Sequence, residues 1–283
     1  MDIVYPKITI VTPSFNQGDY LESTIRSVID QGYPNLEYII IDGGSTDNSI
    51  DIIKKYASHL AYWVSEPDKG QYYAIDKGLR MATGEIMAWL NSDDMFHSGS
   101  LFTIASLFQE NPDVEWLMGY PTFYTEDGYC FIDAYATIPY WSRYRYYAGD
   151  HKYIQQESVS WRSSLWKKAG GFIDTDYKYA ADMELWARFF RYAKLDATPY
   201  ILSGFRIRNN NQASFNYKDQ YTIEAKRIIK NEREILSVSQ RMAFACHFLF
   251  YTFLRSWITV YRILIKKHIR LFGSSGPLPV KSR

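Results

Sequence analysis

Short apolar runs alternate with stretches of helical periodicity along the first hundred residues. Lys7 to Pro13 reads as a buried strand, with Pro13 expected to end its ladder. From Tyr20 to Gln31, Leu21, Ile25, Val28 and Ile29 fall on one helical face, with Asp19 as its cap. Leu36 to Ile41 is a β-rich run, followed by a helix over Ser49 to Tyr56. Ala61 to Ser65, Tyr73 to Met81 and Ile86 to Leu90 repeat the alternation as strand, helix and strand. The pattern predicts an α/β fold with a mostly parallel sheet flanked by helices, right-handed crossovers, and ligands at the C-terminal strand ends.

The polar segments after those strands hold the candidate chemistry. Ile86 to Leu90 runs straight into Asn91, Ser92, Asp93 and Asp94. Hard oxygens there suit Mg²⁺ or Mn²⁺, which one or two carboxylates hold together with substrate phosphates. The same residues also fit a strand-to-turn junction with a capping Asp. The loop Asp42 to Asp47 contains glycines but matches neither the spaced-glycine dinucleotide pattern nor the phosphate-loop lysine pattern.

Further on, Leu101 to Phe108 continues as a helix, broken at Asn111-Pro112-Asp113. Trp116 to Tyr124 and Gly128 to Ala134 predict two strands across the Glu126-Asp127-Gly128 turn. Residues 135–153 crowd Tyr, Trp and Arg together, a texture shared by nucleic-acid surfaces and by loops that stack on sugar rings. A formal net charge of +1 disfavours the first, so no nucleic-acid partner is expected. Ser164 to Ala169 reads as a short helix ended by Gly170-Gly171. Asp182 stands near the start of the next, where the helix dipole favours an anion and where an N-cap would also stand.

A chain of 283 residues fits one large α/β domain with an appendage. Cys130 and Cys246 lie far apart without metal-type spacing, which fits a reducing compartment and buried thiols. The first residues carry no secretory pattern, so a cytoplasmic location is expected. Tyr217 to Leu236 reads as a charged helix. Met242 to Ile265 is denser in apolar residues but interrupted by Arg255 and Arg262, which argues against a membrane span. On a helical projection Arg241, Arg255, Arg262, Lys266 and Arg270 share a face, as in a helix lying in the inner membrane interface. Packing on the domain or on a dimer partner is the other reading, and the oligomeric state stays open. The expected boundaries are 1–215 for the domain, 216–272 for a helical extension and 273–283 for a disordered tail.

Four blocks carry a resemblance: Ile-Val-Thr-Pro-Ser-Phe-Asn at 10–16, Ile-Asp-Gly-Gly-Ser-Thr-Asp at 41–47, Ala-x-Asp-x-Gly at 74–78 and Leu-Asn-Ser-Asp-Asp at 90–94. Together they resemble the family 2 glycosyltransferases with a GT-A fold. The resemblance implies a nucleotide-sugar donor, a divalent cation and inversion at the anomeric carbon. It also implies a saccharide acceptor, lipid-linked by analogy, in cell-surface polysaccharide assembly. Thr12, Pro13, Phe15 and Asp42 would line the donor's base and ribose. Gly43 replaces the family's usual second acid, and Asn91 the first acid of its acidic turn. Lys69 and Arg208 would meet the diphosphate, Asp94 the metal, and Asp93 the ribose or phosphate, the last two being exchangeable. Asp182 matches the catalytic base, with Glu184 in reserve, and Gln156, Glu157 and Trp186 fall on the acceptor side. Two other classes compete: a nucleotidyltransferase on a similar sheet, and a degenerate relative acting as an assembly partner.

Overall fold

The computed structural model describes residues 4–132, 142–149, 154–208, 212, 216–250, 253 and 257. Strand β1 (Ile8–Ser14) is followed by α1 (Gly18–Ile29), β2 (Leu36–Asp42), α2 (Ser49–Lys55), β3 (Tyr62–Ser65), α3 (Gln71–Met81) and β4 (Ile86–Trp89). β1, β2 and β4 are buried almost throughout, as their unbroken apolar runs require of central parallel strands. Pro13 does not end its ladder: it pairs in register with Ile41, and Ser14 with Asp42. The Val11 carbonyl accepts from Leu90, so Pro13, two residues on, faces the same flank beyond the last residue of β4, where no ladder donor is needed. α3 packs closely on β1 because Gly78 has no side chain, since a Cβ there would lie 2.4 Å from a Val11 methyl.

The expected long hairpin divides. β5 (Met95–Phe96) and α4 (Ser100–Glu110) precede β6 (Trp116–Met118), which joins the main sheet, whereas β7 (Thr122–Tyr124) and β8 (Cys130–Phe131) form an antiparallel pair in a second sheet. α5 (Arg143–Tyr147), β9 (Val159–Arg162), α6 (Ser163–Lys168), α7 (Ala181–Phe189), β10 (Asp196–Ala197), β11 (Ser203–Arg206) and α8 (Lys218–Glu234) complete the order. The main sheet runs β10-β6-β9-β4-β1-β2-β3, with β9 antiparallel to both neighbours, and the smaller sheet runs β5-β11-β7-β8. Trp89, Trp116, Trp161 and Trp186 are buried at the β6–β9–β4 end, with ring centroids of contacting pairs 5.5–5.8 Å apart. Each such pair adds about 0.5–1.5 kcal/mol beyond its buried area.

Two compact units divide between Glu232 and Arg233. Ala225, Ile228 and Ile229 of α8 are buried, so this helix belongs for most of its length to the first unit. In the second, residues 238–250 are helical and leave Met242, Leu249 and Phe250 exposed. No helix among the described residues is long and apolar enough to cross a membrane. Most of the stretch from 251 to 272, and the expected tail 273–283, lie outside the described residues.

Candidate active site

β1 and β4 lie side by side, yet the chain leaves β1 toward β2 and β3 on one flank and returns to β4 on the other. Such a reversal opens a crevice beyond the C-terminal strand ends. The turn Asn91–Asp94 stands there. Asp94 is fully buried; its Oδ1 accepts the Arg206 N–H at 2.9 Å and its Oδ2 the Asn91 amide at 3.1 Å. From α1, Thr24 Oγ1 donates to the carbonyls of Ser92 and Asp94 at 2.9 and 2.8 Å. The Arg206 guanidinium donates to the Asp93 and Glu126 carbonyls and to Ser23 Oγ. Asp93 keeps 15% side-chain exposure, with its Oδ2 3.0 Å from Arg208 Nε. Burial pushes both acids up, and the Asp93 charge raises Asp94 further, while Arg208 and Arg206 oppose the rise at Asp93.

Among the described residues no group of three His, Cys, Asp or Glu is placed to hold a metal ion. The Asp93 carboxylate at the crevice edge fits the other arrangement, an ion with one protein carboxylate and a shell filled by water and phosphate oxygens.

At the β2 end, Asp42 is fully buried and accepts four hydrogen bonds, from Ser45 Oγ, the N–H groups of Gly44 and Ser45, and Ser65 Oγ. Three of these fall on Oδ2 and one on Oδ1, so the carboxylate organises the loop from a buried position. Thr12 is also buried, its hydroxyl 3.1 Å from that of Tyr38, and Pro13 is buried beside it. Phe15 alone of the β1-end trio opens to solvent, at 58% exposure. Lys69 is exposed, with its ammonium 5.6 Å from the centre of the Tyr73 ring.

The head of α3 joins the acidic turn to the candidate base. Gln71 donates to Asn91 Oδ1 at 2.7 Å, and the next residue, Tyr72, donates to Asp182 Oδ1 at 3.1 Å. Asp182 is the second residue of α7 and makes no N-cap, since the cap position is Ala180. Burial pushes its carboxyl up to about 6, against the pull of hydrogen bonds from the Met183 N–H and the Tyr72 hydroxyl. The segment before it is fastened by Glu224 of α8, whose carboxylate accepts from the N–H groups of Lys178, Tyr179 and Ala180 at 3.0, 2.8 and 2.8 Å. Glu184 lies two residues further along α7, on the other side of the helix, in a forked pair with Arg188, and the Arg188 guanidinium also donates to the Ala169 and Phe172 carbonyls.

Residues 9–170 match the family described as Glycosyl transferase family 2. The chain belongs to that family. An uncharacterised glycosyltransferase of Mycobacterium tuberculosis is 34% identical over 183 residues, covering 63% of this chain and 67% of that protein. A putative teichuronic acid biosynthesis glycosyltransferase of Bacillus subtilis is 39% identical over 101 residues, 34% of this chain and 39% of its own length. Among solved structures, residues 1–349 of S. aureus TarS in complex with UDP-GlcNAc align with a TM-score of 0.64, 19% identity, and 86% and 71% coverage. A mannosyltransferase of Pyrobaculum calidifontis in complex with GDP-Man and Mn²⁺ aligns at 0.54, with 17% identity over 96% of this chain and 89% of that one. At these identities the likenesses speak to the fold, which is of the GT-A type.

Several sequence expectations for this family 2 glycosyltransferase meet a different geometry. Trp186 is 1% exposed and sandwiched between Trp89 and Trp116, so its size serves the core and not the acceptor. Glu157 is 3% exposed beside the acid pair, and burial with the charge of Asp94 pushes its carboxyl well up. Gln156 is half-buried, donating to the Trp89 carbonyl and accepting from Asn91. Within the aromatic stretch, Tyr146 and Tyr147 are buried, with hydroxyls on the Met183 carbonyl and Glu232; 133–141 and 150–153 lie outside the described residues. Asp19 does not cap α1, whose first N–H, from Gly18, donates to Asp47 instead. Both cysteines are exposed, Cys130 on an outward-facing edge strand. Tyr72 and Glu224 escaped the sequence reading because nothing local marks a residue whose partner lies 110 or 44 positions away.

Proposed function

We propose that the chain is an inverting glycosyltransferase that moves a sugar from a nucleotide-sugar donor to a hydroxyl of a saccharide acceptor. The observation that carries this is Asp182, a half-buried carboxylate held at about 6 on a rigid helix head whose neighbour α3 also reaches the acidic turn. A base of that kind is ionised at neutral pH and still worth protonating. Asp182 takes the acceptor hydroxyl's proton as that oxygen bonds to the anomeric carbon. The bond from that carbon to the diphosphate breaks on the opposite side, and its electron pair leaves with the diphosphate. Lys69 and Arg208 supply fixed positive charge for the departing group. Asp93 is the residue that would hold Mn²⁺ or Mg²⁺, and Asp94 the residue that sets the turn beneath it. When bound, such an ion supplies Lewis-acid neutralisation of the leaving diphosphate.

The place in cell-surface polysaccharide assembly is supported by the likeness to the Bacillus relative, a putative teichuronic acid biosynthesis glycosyltransferase. A lipid-linked acceptor and a peripheral site at the inner face of the cell membrane are supported by charge. Residues 235–283 carry eight Lys or Arg and no Asp or Glu, while Met242, Leu249, Phe250, Phe253 and Trp257 are exposed. On this reading α8 belongs with the catalytic domain, whose compact unit runs to Glu232 and not to the expected boundary near 215, and the membrane-touching extension is the part of 216–272 beyond it.

The test is a thermal-shift screen with UDP-, GDP-, CMP- and dTDP-sugars, each with and without Mn²⁺, followed by product analysis. A ligand of the native state raises apparent stability by mass action. A shift with one nucleotide series and release of a nucleoside diphosphate are expected. Pyrophosphate as product would turn the reading toward nucleotidyl transfer, and no shift in folded protein would overturn it.

A further inference from the structure

Gly43 closes β2 in the place where the blocks quoted above lead one to expect a second acid. Its φ is not in the left-handed region, so backbone conformation does not demand a glycine there. Space does. A Cβ at 43 would lie 3.1 Å from Asp68 Oδ2 and 3.2 Å from its Cγ and Oδ1. The carboxylate of Asp68 therefore rests directly on the Gly43 backbone, filling the volume a side chain would take. Asp68 comes from the loop after β3 and is fixed there by the Gly70 N–H, which donates to Oδ1 at 2.8 Å. Gly44, at φ +84°, turns the chain so closely under this loop that a Cβ would sit 3.1 Å from the Pro67 nitrogen.

Two acids thus stand on this edge in different conditions. Asp42 is sealed by burial and accepts four hydrogen bonds from its own neighbourhood. Asp68 is exposed, and its Oδ2 takes no hydrogen bond among the described residues. The Gly43 N–H donates to the Ser14 carbonyl at 2.8 Å, so the residue under the Asp68 carboxylate is tied to the β1 end, one residue before the exposed Phe15. An exposed aromatic ring and a fixed acceptor on two hydrogen-bonded strand ends are what a planar heterocycle with an N–H edge can use. Partial burial and the charges of Asp42 and Glu66 push the Asp68 carboxyl up, so an N–H partner relieves a charge that is otherwise poorly matched.

We propose that Asp68 determines which nucleobase the donor carries, its free oxygen accepting the ring N–H of uracil, thymine or guanine. The inference rests on the nucleotide-sugar reading above. A carboxylate only accepts, so it pairs with the N3–H of uracil or thymine or the N1–H of guanine, and it opposes the unprotonated ring nitrogen of cytosine or adenine. Gly43 acts through Asp68, since its lack of a side chain lets that carboxylate lie where it does.

The experiment is calorimetric binding of free UDP, dTDP, GDP, CDP and ADP to the full chain, its Asp68→Ala variant and its Gly43→Ala variant. Wild-type protein is expected to bind one of UDP, dTDP or GDP at least about tenfold tighter than CDP or ADP, the effect of one hydrogen bond to a charged group. Asp68→Ala should bring that preference to within about threefold, with CDP affinity unchanged. Gly43→Ala keeps the acid but displaces it, and the displaced atoms are the far end of a flexible side chain, so it should fold and lose the preference likewise. Wild-type preference retained in both variants, or a wild-type protein that favours CDP or ADP, overturns the assignment while leaving the transferase reading in place. Failure of the folded wild-type protein to bind any of the five overturns the nucleotide-sugar reading and this assignment with it.

Discussion

Replacing Asp182 by Asn should stop transfer and at the same time make the protein more stable at alkaline pH. Folding moves this carboxyl from 3.8 to about 6. The folded chain therefore binds the proton more tightly than the unfolded chain, and the ionised form is disfavoured inside the protein. Stability from this group is full below pH 4, falls as pH rises from about 4 to about 6, and stays low above. Two pKa units correspond to about 3 kcal/mol, an upper bound for a group that keeps some contact with solvent. Asn retains an acceptor for the Tyr72 hydroxyl but loses the charge, so a net gain of about 1–2 kcal/mol is reasonable, or roughly 2–8 °C in Tm at pH 8. At pH 4 the two proteins should melt together. Calorimetric melts across that range, run beside turnover and donor-binding assays, test both halves. Turnover at the wild-type rate would remove Asp182 from the chemistry. An equal loss of stability at pH 4 and pH 8 would show that the carboxylate anchors the helix and is not held ready for a proton.

With Asp182 as the proposed base, the wild-type acid limb of kcat/KM should lie near 6, since a base acts only when deprotonated; a rate independent of pH between 5 and 7.5 would contradict it. Glu224→Ala leaves three N–H groups before α7 without their acceptor and removes a charge that raises Asp182. It should lower kcat about 10- to 100-fold, shift the acid limb downward and leave donor Kd unchanged, by analogy with the loss of hydrogen bonds to a charged group. Arg188→Met strands Glu184 inside the protein and should cost about 3–5 kcal/mol in urea unfolding, with the Glu184→Gln/Arg188→Met double variant recovering part of it. Additive losses would mean the pair is not coupled. Finally, the full chain should sediment with vesicles containing about one-third anionic lipid and not with zwitterionic ones, each basic residue at the surface contributing about 1 kcal/mol; equal behaviour with both would argue for a protein partner.

The strand–helix alternation was legible because central parallel strands must be apolar on both faces, and β1, β2 and β4 are. What periodicity missed is decided by distant partners. Trp116 to Tyr124 reads as one strand, yet Gly119 and Tyr120 break it, and the two halves answer to β9 and β10 on one side and to β11 on the other. Aromatic richness pointed toward sugar stacking, but at Trp186, Tyr146 and Tyr147 the rings are core, as large apolar area usually is. The heading acid of α7 was found by its position; the tyrosine and glutamate that hold it in place carried no local signature at all.

The acids of the site show why motif residues identify a place more easily than a role. In each of three neighbourhoods two carboxylates stand together, and in each one of them is engaged in structure. Asp94 receives the Arg206 N–H and the Asn91 amide while Asp93 keeps its exposure. Asp42 ties its own loop while Asp68 lies open above Gly43. Glu184 is forked to Arg188 while Asp182 keeps only the Tyr72 hydroxyl and helix-head N–H groups. Sequence spacing cannot separate Asp93 from Asp94 or Asp182 from Glu184, which have the same charge and nearly the same address, and it does not bring Asp68 to Asp42 at all. Burial and hydrogen-bond saturation do separate them. A carboxylate buried and held by hydrogen bonds on both oxygens in the fold is rigid and sets the position of its neighbour, and a neighbour with an open oxygen is the one that can still bind an ion, a base edge or a proton.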